Sequence, residues 1–509
     1  MKKFSLVTMA VFTSAALALA GCSSSSSTAP SGSDAASSGS SSGSSSSSTA
    51  PDTSKAVVLN MYLLGAPGKG YDAMLQKFNE ELKKRINATV KVTWIGWADY
   101  KQKYPLVLSS GEPIDLIYTA NWLNYSTEAQ KGAFMPLTDL LKKYAPKSYA
   151  EEPKKALDEA SINGKLYALP SNYTYYDNEG YIMRGDLMQK YNIGPITSID
   201  DYGKYLDTIK QHEPSFDPTG YYNTANVGLD GQFLTQNNEK GIDSNLPLAY
   251  TVNDPHPKLV NYLDEPRWAD YFKQMKDWAD KGYWSKSVLS NKDDSMFDNG
   301  KAASKIWNVD HFNSDYINHP EWKVQFYPGE KYSRLTSYTQ DAMAIPASAK
   351  NPERAAMMIE LVRQNEDLYD LLTYGIKGTD FEIESDGTLK ALNPENFEPD
   401  GYGAWGFRED RFRKDLAGSS PDLQKVRDNL KSLYIPDTLH DFTLNLDPIK
   451  NQYAAVSNVM QQYEIPLRLG LVDPVSGLKT LQDKLKAAGI DQIQTEVQKQ
   501  IDAFLSSPH

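Results

Sequence analysis

A single cysteine in 509 residues excludes an intrachain disulfide, a CxxC redox pair and a cysteine-based zinc cage. Histidine is scarce too. The six present (His212, His256, His311, His319, His440 and His509) show neither H-x-x-x-H nor H-E-x-x-H spacing, so the common zinc-hydrolase signatures are absent. Positive charge is in deficit, with Lys+Arg 53 against Asp+Glu 65 and a formal net charge of −12. Affinity for phosphate backbones comes chiefly from clustered Lys and Arg, so no nucleic-acid partner is expected. The glycine loop Gly65-Ala66-Pro67-Gly68-Lys69-Gly70 fits neither G-x-x-x-x-G-K-[ST] nor G-x-G-x-x-G, and it reads as a strand-to-helix turn. No D-x-[DN]-x-[DN]-G calcium loop is found either, so no metal or cofactor is expected. What remains is a chain long enough for two to four domains at roughly 150 residues each.

The position of the cysteine gives it a role. Lys2 and Lys3 precede an apolar stretch from Phe4 to Leu19, which Leu19-Ala20-Gly21-Cys22 closes. This is the pattern of a secretory signal, too short and wrongly flanked for a spanning helix. Leu-Ala-Gly-Cys resembles a bacterial lipobox, in which the chain is cut before the cysteine and its thiol acylated with a fatty acid such as palmitate. The plainer alternative is an ordinary cleaved signal with a chance cysteine. Loss of residues 1–21 removes two lysines and no acids, leaving a formal charge of −14. Such a body is repelled by anionic lipid, and acyl chains at Cys22 must then hold it at the extracytoplasmic face of the cell membrane. Residues 22–54, nearly all Ser, Gly, Ala and Thr after the cysteine, cannot bury enough apolar surface to order and read as a disordered tether. Its r.m.s. span is on the order of 30 Å. Gly39-Ser40-Ser41-Ser42-Gly43 inside it matches the hydrolase pattern G-x-S-x-G, but no strand precedes it and no helix follows.

From Ala56 the composition changes. Val57 to Leu64 reads as a buried strand, and Tyr71, Leu75, Phe78 and Leu82 recur at helical spacing up to Ile86. Val90, Val92 and Trp94 alternate as a second strand, with Trp94 expected in the core. A helix is expected from roughly Asp99 to Ser110 and a third strand over Asp115–Thr119. This alternation predicts a parallel α/β sheet, whose ligands gather beyond the carboxyl ends of the strands, here the loops at Gly65, Gly96-Trp97 and Ala120-Asn121-Trp122. Asn351-Pro352-Glu353 predicts a helix start with Asn as N-cap, and Ile490, Ile493, Val497, Ile501 and Phe504 predict an amphipathic helix after Gly489.

Several motifs then follow in order: Ser110 to Tyr118 (SGEPIDLIY), Lys131 to Leu137 (KGAFMPL), Asn163 to Pro170 (NGKLYALP), Phe297 to Ala303 (FDNGKAA) and Ala344-Ile345-Pro346 to Val362. Together they resemble the extracellular solute-binding proteins of bacterial ABC sugar importers. Tyr374 to Gly378, Trp405 to Arg408 and Leu485 to Ile490 resemble the longer lipoprotein branch with an extended C-terminal segment. The resemblance implies an α/β fold in the form of a two-lobed, periplasmic-binding-protein-like clamp with a hinge, each lobe a mixed or parallel sheet flanked by helices. It places 55–172 and 327–368 in lobe 1, and 173–326 and 369–509 in lobe 2. It also implies a monomer that binds a small carbohydrate and delivers it to the transmembrane subunits of a permease.

The residue inventory independently favours carbohydrate. There are 9 Trp, 32 Tyr and 16 Phe, many in predicted loops beside Asn and Asp. Sugar rings offer apolar C–H faces and a rim of hydroxyls, so aromatic faces and polar side chains together recognise them. The candidates are Trp97, Asn121 and Trp122 on the first lobe, with Tyr173, Tyr175, Asp177, Trp307, Asn308, Tyr338, Asp341 and Trp405 from the hinge and second lobe. Each could instead pack on its own lobe. Competing classes are a peptide- or other solute-binding protein on a similar clamp and an anchored glycoside hydrolase. The latter needs two carboxylates roughly 5–10 Å apart. Adjacent acids such as Glu151-Glu152 or Asp293-Asp294 point away from one another, and solvated surface is the expected reading of both pairs.

Overall fold

Strand β1 (Val57–Leu64) buries Leu59, Met61, Leu63 and Leu64 and leaves Val58 exposed, as a strand does when one face meets a core. Along one side it pairs in parallel with β2 (Ala88–Ile95) over its whole length, and along the other with β3 (Leu116–Thr119). Helix α1 (Tyr71–Ile86) makes the first crossover, burying Tyr71, Met74, Phe78, Leu82 and Ile86 and ending on Asn87 at φ 48°. Helix α2 (Tyr100–Ser109) makes the second. Two later strands, Ala342–Ala344 and Ala168–Pro170, extend the sheet antiparallel beyond β3, so it is mixed. The computed structural model describes residues 52–97, 100–221, 229–291, 295–397 and 404–506. The signal segment, Cys22, most of the tether and Asp293-Asp294 lie outside the described residues. No helix among the described residues is long and apolar enough to cross a membrane.

Helix Pro352–Gln364 begins where its sequence predicts, but the Asn351 side chain does not cap it. Buried Asp115 does the joining instead. Its Oδ1 accepts from the backbone N–H groups of Lys350 (3.1 Å) and Asn351 (2.8 Å), and its Oδ2 from Asn60 (2.9 Å). One carboxylate thus ties strand and helix by three charge-assisted bonds. The glycine turn after β1 packs against the backbone of Asn396. A Cβ at Gly68 would overlap the Asn396 carbonyl oxygen, Gly70 N donates to that oxygen (2.8 Å), and the neighbouring Phe397 stacks on Tyr71 at 6.2 Å. Trp94 is half-buried and meets Tyr71 edge-on at 5.0 Å, at the margin of this core.

A second core gathers around the antiparallel strand Gly180–Met183, flanked by Ser304–Trp307 and Gln325–Pro328. The strands that flank it come more than a hundred residues later and both run against it, so this sheet has no parallel pair. Helix Ile199–His212 buries Tyr202, Tyr205, Leu206 and Ile209, and helix Pro266–Lys281 buries Trp268, Tyr271, Phe272 and Met275. The C-terminal helices Pro474–Ala488 and Ile490–Ser506 join this core, separated by Gly489 at φ +93°.

Two of the expected crossings between the cores lie elsewhere. Tyr332 still belongs to the second core, and the return to the first comes between it and Ala342, not at 327. Residues 369–397 and 404–407, expected in lobe 2, pack in the first core through Leu372, Tyr374, Phe381, Leu389 and Phe407. The outward and return crossings lie side by side. Tyr176–Asp177 pairs antiparallel with Arg334–Leu335, and Tyr175 exchanges two bonds with Thr336.

Arg363 explains the excursion. Its fully buried guanidinium lies 2.6 Å from Glu152 and 3.4 Å from Glu409, and donates to the Pro170 carbonyl at 2.8 Å. Of the acidic pair Glu151-Glu152, only Glu151 is solvated, because this buried cation draws its neighbour inward. Removing one partner of a buried ion pair strands the other. We therefore expect Arg363→Ala to destabilise the protein by about 3–5 kcal/mol. Arg85→Ala, at an exposed pair with Glu81, should cost less than about 1 kcal/mol. Urea unfolding followed by tryptophan fluorescence checks both.

Candidate functional site

Beyond the carboxyl ends of β2 and β3 lies a cleft of about 2080 Å³, lined by residues of both cores. The loop after β2 brings Trp97 and, at the start of α2, Tyr100. The short turn Asn121–Leu123 after β3 brings Trp122. These rings meet Trp405 from the late excursion: Trp97 stands 5.5 Å from Tyr100, 6.1 Å from Trp122 and 6.1 Å from Trp405. Trp122 Nε1 donates to the Gln340 carbonyl at 3.0 Å, fixing one ring, and the Arg408 guanidinium lies 5.2 Å from the centre of Trp405. The first lobe thus presents an aromatic floor assembled from three separate stretches of chain.

The second lobe supplies Trp307 at the end of its strand, 4.7 Å from the His311 ring. Burial and nearby Lys305 press His311 down to about 3, so it is uncharged at neutral pH. Asn308 is the N-cap of helix Val309–Asn318, its Oδ1 accepting from His311 N at 3.2 Å.

Charged groups line the walls. Asp341 accepts from Tyr118 Oη (2.6 Å) and Arg408 Nη1 (2.8 Å). Arg334 pairs with Glu330 at 2.7 Å and reaches Asp177 only at 3.5 Å. Burial, reinforced by Asp177, pushes the Glu179 carboxyl up to about 8, so it keeps its proton at neutral pH. Arg468 pairs with Asp230 (2.9 Å) and Glu464 (2.7 Å). Burial opposes ionisation of Glu159, but contacts from His440 (3.2 Å), Ser337 Oγ (2.7 Å) and Tyr338 N (2.8 Å) outweigh it and hold the carboxyl below its usual range. Glu159, His440 and Asp441 bring three donor atoms within 4.8 Å of one another and could hold a cation, although Glu159 is already engaged.

Of the residues expected from sequence, Trp97, Asn121, Trp122, Tyr175, Asp177, Trp307, Asn308, Asp341 and Trp405 all line this cleft. Trp405 does so from the first core, whereas a place on the hinge or second lobe was expected. Tyr173 and Tyr338 are not among the lining residues. Tyr173 lies under the Arg413 guanidinium at 4.1 Å, and Tyr338 contributes backbone bonds to Glu159 and Ser171. Sequence reasoning missed Tyr100, Glu179, His311, Arg334, Arg408 and the stretch around His440. Tyr100 and His311 were within reach, each following a chosen tryptophan by three or four residues. Nothing local marks Arg334 or His440.

A family model described as bacterial extracellular solute-binding protein matches residues 73–377, and one described as a domain of unknown function (DUF3502) matches residues 438–506. The chain is 27% identical over 492 residues to a carbohydrate ABC transporter substrate-binding protein of Streptococcus pneumoniae serotype 4, covering 90% of this chain and 93% of that protein. It is 26% identical over 348 residues to lipoprotein LipO of Bacillus subtilis, covering 62% of this chain and 66% of that one. Among solved structures, the N-glycan transport solute binding protein of Streptococcus pneumoniae in complex with Man5GlcNAc superposes with a TM-score of 0.75. The two are 24% identical over 89% of this chain and 100% of that one, a likeness of fold. With three-fifths of its length matched by the family model and the two-lobed α/β architecture shared, the chain belongs to the family of bacterial extracellular solute-binding proteins.

Proposed function

We propose that this chain is the substrate-binding lipoprotein of an ABC importer, capturing an oligosaccharide in the cleft and presenting it to a membrane permease without chemical turnover. The observation that carries this reading is the aromatic floor of Trp97, Tyr100, Trp122 and Trp405 in a cleft that also carries Trp307 and His311. Such faces cover the C–H sides of sugar rings, and the polar groups between them meet the hydroxyls. A volume of about 2080 Å³ exceeds what a single drug-sized ligand fills, about 300–1,000 Å³, and suits several linked rings. The Streptococcus pneumoniae relative, named for carbohydrate transport, supports the same class. Ligand contacts made by both lobes would favour a closed form by their differential affinity, and the permease would read that form. Acylation at Cys22 would keep the protein on the membrane through its tether.

A ligand bound only by the native state raises stability by RT ln(1 + [L]/Kd). A thermal-shift screen over oligosaccharides and short peptides should therefore show stabilisation by sugars. Stabilisation by peptides alone, or glycan turnover by the purified protein, would overturn the reading. Trp122→Ala and Trp307→Ala should each weaken the sugar by about tenfold or more, read by calorimetry. Protonated Glu179 can donate to a sugar oxygen and the carboxylate cannot. Affinity should therefore fall as pH rises through about 8, and Glu179→Gln should flatten that dependence. Cys22→Ala should move the protein from the membrane to the soluble fraction; continued membrane residence would defeat the anchor.

A further inference from the structure

We infer that the cleft selects an uncharged oligosaccharide, rejecting chains of uronic acid, with the Asp177 carboxylate as the acceptor that a sugar hydroxyl must satisfy. This rests on the carbohydrate reading above and narrows it.

Three observations converge. The first is the balance of charge. Among the described residues, twelve carboxyl groups besides the protonated Glu179 line the cleft against nine Lys and Arg side chains, on a chain of net charge −12. A ligand carrying one negative charge per ring enters against that potential.

The second is that the cations deep in the walls are already committed. Arg408 holds Asp341 at 2.8 Å, Arg334 holds Glu330 at 2.7 Å, and Arg468 holds Asp230 and Glu464. Lys240 holds Asp437 at 2.7 Å and Lys414 holds Asp370 at 2.6 Å. A uronate carboxylate is normally taken by an Arg fork or a Lys point charge. At these five it could have one only by displacing a protein carboxylate and leaving that group without its cation. The lining cations with no carboxylate partner among the described residues are Lys101, Lys155 and Arg427. Of these, Lys101 and Lys155 are exposed.

The third is Asp177. It is 9% exposed and lines the cleft, and its Oδ1 meets no hydrogen-bond donor among the described residues, while Arg334 lies 3.5 Å from the other oxygen. A buried acceptor left without a donor is costly, so a donor that reaches this oxygen as the lobes close on a ligand is favoured. A sugar hydroxyl supplies the missing O–H, whereas a ligand carboxylate supplies only further lone pairs. The uncharged His311 ring beside Trp307 adds no positive charge on that wall.

The test is calorimetric titration of the whole soluble protein with neutral oligosaccharides, oligouronates of equal length and de-acetylated chitooligosaccharides, at low and high salt. The expected result is binding of a neutral oligosaccharide with an affinity unchanged by salt, and at least tenfold weaker binding of the matched uronate. Equal or tighter binding of a uronate, or tighter binding of the cationic chitooligosaccharide, would overturn this inference and leave the carbohydrate reading intact. Binding of none of them would overturn both. Asp177→Ala should lose about tenfold in affinity for the neutral sugar, while Asp177→Asn, which keeps an acceptor oxygen, should stay within about threefold. Unaltered binding by Asp177→Ala would remove that residue from the proposal.

Discussion

Arg363 is a cation with no route to water, and much of the binding cleft depends on how its charge is met. Its guanidinium draws Glu152 from a helix end, Glu409 from a segment nearly fifty residues later, and the Pro170 carbonyl from the strand that leads out of the first lobe. Glu409 in turn accepts from Asn172, and the Asn172 side-chain oxygen accepts from the Asp410 backbone. A buried charge costs several kcal/mol unless paired, so these segments cannot separate without exposing it or stranding it. The late excursion is therefore held against the first lobe, and Trp405 and Arg408 arrive in the cleft with it.

The same economy runs through the rest of the site. Asp115 joins β1 to helix Pro352–Gln364, and Asp341 joins Tyr118 on β3 to Arg408 on the excursion. Each carboxylate links stretches far apart in sequence, and Asp341 sits next to the sheet edge from which the aromatic floor projects. The floor itself adds packing beyond its burial, because its rings meet at offset and edge-on geometries. The cleft is thus an apolar platform framed by paired charges and an excess of carboxyl groups.

Legibility in the sequence followed the range of the interaction. β1 was readable to the residue, because its apolar run begins just after Lys55-Ala56 and stops at the glycine turn. The last helix was readable because Gly489 and the spacing of Ile490, Ile493, Val497 and Ile501 are local signals. Strand-end logic also reached Trp97, Asn121 and Trp122, since a parallel sheet sends its loops to one edge. Residues 369–397 and 404–407 were misplaced for the opposite reason. Their hydrophobic pattern says that they are buried, but not against which lobe. Tyr173 and Tyr338 were chosen by type and neighbourhood, and a cation–π contact with Arg413 and a backbone role took them out of the lining.

By itself the sequence determined the class of element at each end of the chain, the strand-ends from which a ligand could be met, the deficit of positive charge and the exclusion of cysteine chemistry. All of these depend on composition or on periods of two to four residues, which the chain carries in local form. Only the tertiary structure decided which lobe owns the late excursion, which carboxylates are paired and that Asp177 Oδ1 is among the buried oxygens left without a donor. Those outcomes rest on charges meeting across long separations in a medium where an unpaired ion is expensive, and a linear pattern holds no record of that distance.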